Sequence, residues 1–153
     1  MRLIVTSDSH GAPWSLIAAA HNQPEAAAML FLGDGEADLP FLRKTCPRLT
    51  LYAVAGNCDG YNSDLPETDL ITLGGVKIIY THGHGFAVKR TTQKLLAAAR
   101  TAGAGLALFG HTHTPQLSYE DGVYLFNPGS IRAHSYGVVD ITPAGVFCFH
   151  CVT

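Results

Sequence analysis

Five times along this chain, a short apolar run typical of a β-strand ends abruptly in a glycine-rich cluster of polar residues. The five runs read LIVTSDSHG, MLFLGDGE, LYAVAGNCD, KIIYTHGH and LALFGHTH. Their markers Asp8, Asp34, Asn57, His82 and His111 are separated by 26, 23, 25 and 29 residues, close to the ~30 residues of a strand, crossover and strand unit. Since ligands of open α/β folds gather beyond the carboxyl ends of strands, we expect all five clusters at one rim. A solenoid would need similar intervening segments, and these share no pattern.

The intervening and following segments predict the remaining elements. Pro13 and Pro40 stand where a first-turn proline begins a helix, and Val88 to Ala102 has the apolar spacing of a helix. Leu70 to Tyr80 and the runs around Asp121-Gly122 are typical of hairpins. Parallel and antiparallel strands with a few helices predict an α/β fold of two mixed β-sheets packed face to face, with helices outside.

Composition limits the class of protein. With 153 residues, of which 47% are hydrophobic and 14% charged, the chain is expected to form one domain over 1–153. A net charge of -2 argues against whole-protein binding to nucleic acid or a membrane. The N-terminus turns polar at Thr6 and lacks the ~7 to 15 apolar residues of a signal peptide, so we expect a cytoplasmic protein. Cys148 and Cys151 lie in a predicted final strand with no helix after it, which favours structural thiols over a redox pair.

The polar clusters contain residues that bind transition metals. Asp8-x-His10 and His111-x-His113 have the spacing that points two side chains to the same side of an extended chain. With one residue from each other cluster they make seven candidate ligands: Asp8, His10, Asp34, Asn57, His82, His111 and His113. Seven are too many for one ion, whereas two ions ~3.5 to 4 Å apart that share a carboxylate would use them all. Two divalent ions and two carboxylates leave about two positive charges, which attract hydroxide and phosphate.

In this order, the motifs D-x-H, G-D, G-N-C-D, T-H-G-H and G-H-T-H resemble those of the calcineurin-like metallophosphoesterases. The short length, the cysteine after Asn57 and the sequence Asn127-Pro-Gly-Ser130 resemble the small bacterial and archaeal phosphodiesterase branch, the YfcE-like proteins. The resemblance covers nearly the whole chain and implies a four-layer αββα sandwich, the metallophosphoesterase fold. It also implies that the 127–130 turn closes the site, with Arg132 or His134 near substrate.

The resemblance implies a dinuclear centre in which Asp34 bridges the two metals. One metal would be held by Asp8, His10, Asp34 and His113, and the other by Asp34, Asn57, His82 and His111. A hydroxide between the metals would be the nucleophile. The expected cofactor is two divalent ions per chain. Mn is expected from the resemblance and from the oxygen and nitrogen ligands, with Fe, Ni, Co and Zn as alternatives.

One position departs from the commoner superfamily pattern, in which a histidine after the ligand asparagine protonates the leaving group. Cys58 occupies that position here. A neutral thiol is a poor substitute, so we expect a preference for good leaving groups or an acid supplied by another residue, for which His84 is the candidate. Catalytic roles are therefore assigned to His84, Asn57 and Cys58, and substrate contacts to Asn57, His84 and His111. Asp59 is expected to orient its neighbours rather than to bind metal.

These residues predict a metal-dependent phosphodiesterase that hydrolyses small phosphodiesters. A phosphomonoesterase is the first alternative. The second is a non-catalytic protein-binding scaffold of the same fold, as in the retromer subunit, although loss of metal ligands usually accompanies that role and all seven are present here. A nuclease would need a basic groove or a capping domain, and the sequence has neither. The expected partner is a small phosphoester, with no membrane or nucleic acid, and the sequence leaves a homo-oligomer open.

Overall fold

The computed structural model describes residues 1–153 and contains ten strands and three α-helices. The strands are β1 (Arg2–Thr6), β2 (Ala28–Phe31), β3 (Thr50–Ala53), β4 (Thr68–Leu73), β5 (Val76–Thr81), β6 (Leu106–Leu108), β7 (Gln116–Glu120), β8 (Val123–Asn127), β9 (Ser135–Thr142) and β10 (Gly145–Val152). The helices are α1 (Pro13–Asn22), α2 (Leu39–Thr45) and α3 (Gln93–Ala102). Short 3₁₀ turns cover Glu36–Asp38, His84–Phe86 and Ile131–Ala133. No helix has the length and apolarity that a bilayer crossing requires.

The strands form two five-stranded mixed sheets, which confirms the predicted fold class. The first sheet has the order β10-β9-β1-β2-β3, and the second has the order β4-β5-β6-β8-β7. Strands β1, β2 and β3 are parallel to one another, as are β5, β6 and β8, while the pairs β9–β10, β1–β9, β4–β5 and β7–β8 are antiparallel. Helices α1, α2 and α3 are the crossovers after β1, β2 and β5, as parallel pairing requires.

The central strands bury side chains on both faces, and this produces four layers. Between the sheets, Leu3 and Leu30 pack with Leu106 and Phe126 in one apolar cluster. On the outer face of the first sheet, Ile4 belongs to a cluster that includes side chains of α1 and α2. The outer face of the second sheet packs in the same way against α3. The chain is therefore an αββα sandwich, with the largest apolar cluster between the two sheets.

Helix α3 begins five residues later than the apolar spacing predicted, at Gln93 instead of Val88. Ala87 has a left-handed φ of 55°, which does not belong to a right-handed helix. A turn follows it, in which the N–H groups of Arg90 and Thr91 donate to the Ala87 carbonyl, and residues 88–92 are not helical. Val88 is nevertheless buried with the helix's apolar side chains, which explains why the periodicity extended to it. The helix ends at Gly103, as predicted, with a left-handed φ of 68°.

The predicted structural thiols lie on edge strand β10. Cys148 packs against the cluster between the sheets and Cys151 against the cluster on the outer face. Burial raises the pKa of Cys148 to about 12, so it is a neutral thiol at physiological pH. Since the two side chains point to opposite faces of one strand, they cannot bridge each other without backbone movement.

Candidate metal centre

The segments that follow β1, β2, β3, β5 and β6 meet at one rim of the sandwich, as the strand-end pattern predicts. Each parallel strand contributes one or two side chains there, so both sheets take part. The rim brings together all seven candidate ligands: Asp8, His10, Asp34, Asn57, His82, His111 and His113.

Side-chain distances divide these residues into two groups. In the first group, Asp8 Oδ1 lies 3.0 Å from His113 Nε2 and 3.7 Å from His10 Nε2. In the second group, three side chains surround the same histidine nitrogen: His82 Nε2 lies 3.4 Å from Asp34 Oδ2, 3.1 Å from Asn57 Oδ1 and 3.1 Å from His111 Nδ1.

Asp34 connects the two groups. Its Oδ2 lies 3.4 Å from His82 Nε2 on one side and 3.8 Å from His10 Nε2 on the other. The groups correspond to the two ligand sets that the family resemblance implied. A carboxylate in this position has the geometry needed to be shared by two ions.

The burial of these groups tests whether a cation fits. Asp8 and His82 have no exposed surface and Asp34 is 2% exposed. Asp8 Oδ1 is buried and makes no hydrogen bond, although His113 Nε2 lies 3.0 Å from it. A buried carboxylate oxygen without a hydrogen bond is costly, and a bound cation removes that cost. The donor set and the unpaired oxygen therefore fit a divalent metal.

Charge interactions alter the protonation of this centre. Burial acts to raise the pKa of Asp34, but hydrogen bonds from His82 and from the Cys58 backbone N–H outweigh it and hold the pKa well below its usual value. For His82, burial acts to lower the pKa, and the interactions with Asp34 and Asp8 raise it by more. Burial together with the charges of His82 and Lys89 lowers the pKa of His111 to about 4. His111 is thus neutral near pH 7, with a free lone pair for a metal.

Hydrogen bonds outside the centre fix the orientation of these side chains. His82 Nδ1 lies 2.7 Å from the Leu32 carbonyl oxygen. Because a carbonyl only accepts, Nδ1 carries the proton, and Nε2 is directed at the centre. The backbone N–H of His111 donates to Asp8 Oδ2 at 3.2 Å, and the N–H of Cys58 donates to Asp34 Oδ1 at 2.7 Å.

Asp59 has the orienting role that was expected of it. Its two carboxylate oxygens accept the backbone N–H groups of Asp34, Gly35, Glu36 and Gly56, at 2.7 to 2.8 Å. These four bonds tie the loop after β2 to the loop after β3. Asp59 consequently sets the distance between Asp34 and Asn57 without taking part in the centre itself.

The backbone at the centre is strained. Five of the seven candidate ligands have a positive φ between 42° and 67°: Asp8, His10, Asp34, His111 and His113. This conformation costs a residue with a side chain roughly 1 to 2 kcal/mol. Such strain clusters at functional sites, where the surrounding structure maintains it. Gly33 permits the close approach of the loops, because a Cβ there would lie 2.5 Å from Gly56 N.

Comparison with known proteins identifies the family. Residues 1–144 match the model of the calcineurin-like phosphoesterase superfamily domain. The chain belongs to this superfamily. It is a family of metal-dependent phosphoesterases, in agreement with the Asp and His cluster at the rim.

Three relatives illustrate the range of the superfamily. A probable metallophosphoesterase of Bacillus subtilis is 37% identical over 134 residues, which is 86% of this chain and 76% of the relative. The vacuolar protein sorting-associated protein 29 of Schizosaccharomyces pombe is 38% identical over 90 residues, or 59% of this chain and 46% of the relative. A solved archaeal phosphodiesterase has the same fold, with a TM-score of 0.81, 19% identity and complete coverage of both chains.

In this member of the superfamily, the 127–130 turn closes the rim as expected. The Asn127 amide donates to the Gly110 carbonyl at 2.9 Å and to Thr112 Oγ1 at 3.0 Å, and Ser130 Oγ donates to the Asp8 carbonyl at 2.9 Å. Arg132 Nη1 lies 3.4 Å from the His10 carbonyl oxygen, so Arg132 is beside the centre. His134 instead bonds to Thr153 Oγ1, which is not part of the rim.

Cys58 and His84 lie next to the ligand groups, and Cys58 Sγ is within 4.8 Å of the ligand atoms of His10 and Asp34. The Asn57 amide approaches Cys58 Sγ at 3.3 Å. The hydrogen bond with Asp34, followed by burial, raises the pKa of Cys58 and keeps it a neutral thiol. The His84 ring lies 5.5 Å from the His82 ring and 6.2 Å from the His111 ring, and its Nε2 is 3.7 Å from Glu67 Oε2. His84 is therefore next to the centre but outside both ligand groups.

Sequence reasoning missed two carboxylates near the centre. Asp38 accepts hydrogen bonds from Ser9 Oγ at 2.6 Å and from the Gly11 N–H at 2.9 Å, which hold the loop that carries His10. Glu67 approaches His84 from the segment before β4. The position of Asp38 four residues after Asp34 was a usable signal, whereas nothing in the sequence connects Glu67 to His84.

A divalent ion and a proton compete for His82, because the carboxylates raise its pKa above the ordinary value of 6.5. We expect Mn²⁺ binding at pH 6 to release about one proton and to be on the order of tenfold weaker than at pH 8. Isothermal titration calorimetry in buffers of different ionisation enthalpy measures both quantities. His134→Asn should bind like the wild type. Heats that are equal in all buffers, with an affinity independent of pH, would contradict this assignment.

Proposed function

We propose that this protein is a phosphodiesterase that hydrolyses small phosphodiesters with two divalent metal ions, Mn²⁺ being the expected one. The observation that carries the proposal is the position of Asp34 between two groups of ligand-type side chains. A single-metal site would not use both groups. The Asp8 carboxylate oxygen that makes no hydrogen bond and the neutral His111 also support a site for metal ions.

Charge favours a phosphoester as the substrate. When bound, the ions would supply Lewis acidity and activate water for attack on phosphorus. Asp8 and Asp34 provide two negative charges against four positive ones, so the centre retains about two positive charges. Arg132 adds a further positive charge on one side. The chain therefore attracts the anionic phosphoryl group without needing a nucleophilic side chain of its own.

A cavity beside the centre has room for an organic substituent. Asn57, Cys58 and His84 line a cavity of about 510 Å³ that opens beside the ligand groups. A diester has an organic group on each side of phosphorus, and this cavity accommodates one of them. Asn57, His84 and His111 are the side chains that can contact the substrate there. The structural likeness to an archaeal phosphodiesterase agrees with a diester substrate.

We expect chelator-treated protein to hydrolyse bis(p-nitrophenyl) phosphate only after Mn²⁺ is added, and to prefer it to p-nitrophenyl phosphate. Asp34→Asn should reduce kcat/KM by at least about 100-fold, because even changes outside the ligand set cost 10 to 100-fold. Asparagine tolerates the positive φ at this position, so the fold should persist. Asp140→Asn, on β9 at the ion pair with Arg2, is the matched control and should keep full activity.

Two outcomes would contradict the proposal in different ways. Faster hydrolysis of the monoester would make the protein a phosphomonoesterase. No Mn²⁺-dependent turnover of either ester, with Mn²⁺ bound, would favour the non-catalytic scaffold. The similarity to the vacuolar protein sorting-associated protein 29 gives that scaffold a specific basis.

His84 is proposed as the donor of a proton to the leaving group, because Cys58 stands where the superfamily commonly has histidine. The expected signature is a dependence on the leaving group. His84→Ala should reduce kcat/KM about 100-fold for an alkyl ester and change little for p-nitrophenolate, which leaves without protonation. A series of aryl and alkyl methyl phosphates measures this dependence. Equal losses across the series would leave His84 with a binding role only.

A further inference from the structure

The cavity beside the metal centre differs in charge from the centre itself. Its lining includes Asn57, Cys58, Tyr61, Glu67 and His84, and it contains no lysine or arginine. Arg132, next to the His10 carbonyl, and Lys89, whose charge acts on His111, do not line it. The part of a substrate that enters the cavity therefore meets the carboxylates of Asp59 and Glu67 and no lysine or arginine.

Glu67 is the carboxylate that remains available in this cavity. Asp59 also lines it, but four backbone N–H groups already bond to the Asp59 oxygens. The Glu67 side chain is 71% exposed, and the one approach to it is from His84 Nε2 at 3.7 Å. That distance is too long for a hydrogen bond. Besides the ion pair that it makes with His84 when that histidine is protonated, the Glu67 carboxylate can pair with a positively charged or hydrogen-bond-donating group.

Tyr61, the aromatic side chain in the cavity lining, also suits a positively charged group. Tyr61 is fully exposed on the loop that borders the cavity. An exposed aromatic ring attracts an ammonium group through its π face. Glu67 and Tyr61 therefore favour a positively charged group in the cavity, while the metal centre beside it favours a negatively charged phosphoryl group.

We propose that the substrate is a zwitterionic phosphoester, whose phosphoryl group binds at the metal centre and whose ammonium group binds in the cavity at Glu67. The proposal rests on the function proposed above for the position of the phosphoryl group. Glu67 is then the residue that determines specificity, because it attracts cationic substituents and repels anionic ones. At about 4 Å across water, one such charge pair gives about a fivefold preference.

Three phosphonates test this assignment without turnover, because their C–P bond is not an ester. They are 3-(trimethylammonio)propylphosphonate, its neutral isostere 4,4-dimethylpentylphosphonate, and the anionic 4-phosphonobutanoate. Isothermal titration calorimetry with the Mn²⁺-loaded protein should give the tightest binding for the cation and the weakest for the anion. We expect about fivefold between successive members.

Charge variants at Glu67 identify the cause of that order. Glu67→Gln should bring all three phosphonates to within about twofold of one another, and Glu67→Lys should reverse the order. Glu120→Gln, on β7, removes a carboxylate that does not line the cavity and should keep the wild-type order. The exposed position of Glu67 makes a folding defect in either variant unexpected, and circular dichroism checks this.

An unchanged order in Glu67→Gln or equal affinities in the wild type would overturn the zwitterion proposal alone. No binding of any phosphonate would overturn both this proposal and the binding of a phosphoryl group at the metal centre. A protein that hydrolyses bis(p-nitrophenyl) phosphate but shows no selectivity would refute the role of Glu67 alone. A protein with the predicted selectivity but without hydrolysis would retain the role of Glu67 and refute the proposed catalysis.

Discussion

The candidate metal centre requires two buried carboxylates and four histidines to lie close to one another at a single rim. Asp34 is central to that arrangement, since its carboxylate lies between His82 and His10. Buried lone pairs and negative charges repel one another unless a proton or a cation lies between them. The lowered pKa of Asp34 and the raised pKa of His82 both favour a positive charge at this point. The neighbouring backbone accepts left-handed conformations to keep these groups in place.

Two sheets are needed to build such a centre. Loops after β1, β2 and β3 supply Asp8, His10, Asp34 and Asn57 from the first sheet, and loops after β5 and β6 supply the remaining histidines from the second. The apolar cluster between the sheets fixes the distance between those loops. Packing far from the rim therefore determines the separation of the two ligand groups, and Asp59 adds a local tie between two of the loops.

Much of the fold and the composition of the centre could be predicted from the sequence, because strand ends carry the polar motifs and parallel strands converge. The backbone conformation could not, since a left-handed φ such as that of His10 or His113 is uncommon for a residue with a side chain and no local sequence pattern marks it. The late start of α3 is likewise hidden from the sequence, because the apolar spacing does not reveal the turn that follows Ala87. Only the folded chain shows that Arg132, and not His134, lies beside the centre, and that Glu67 lies near His84. These positions depend on packing between segments that are far apart in the sequence.

The most direct test of the account is diffraction from Mn²⁺-soaked crystals at the manganese absorption edge. The account predicts two anomalous peaks per chain, ~3.5 to 4 Å apart, on either side of the Asp34 carboxylate. Occupancy of both positions should fall together in Asp34→Asn. One peak, or two peaks that do not share Asp34, would contradict the bridging role of this residue and with it the dinuclear mechanism.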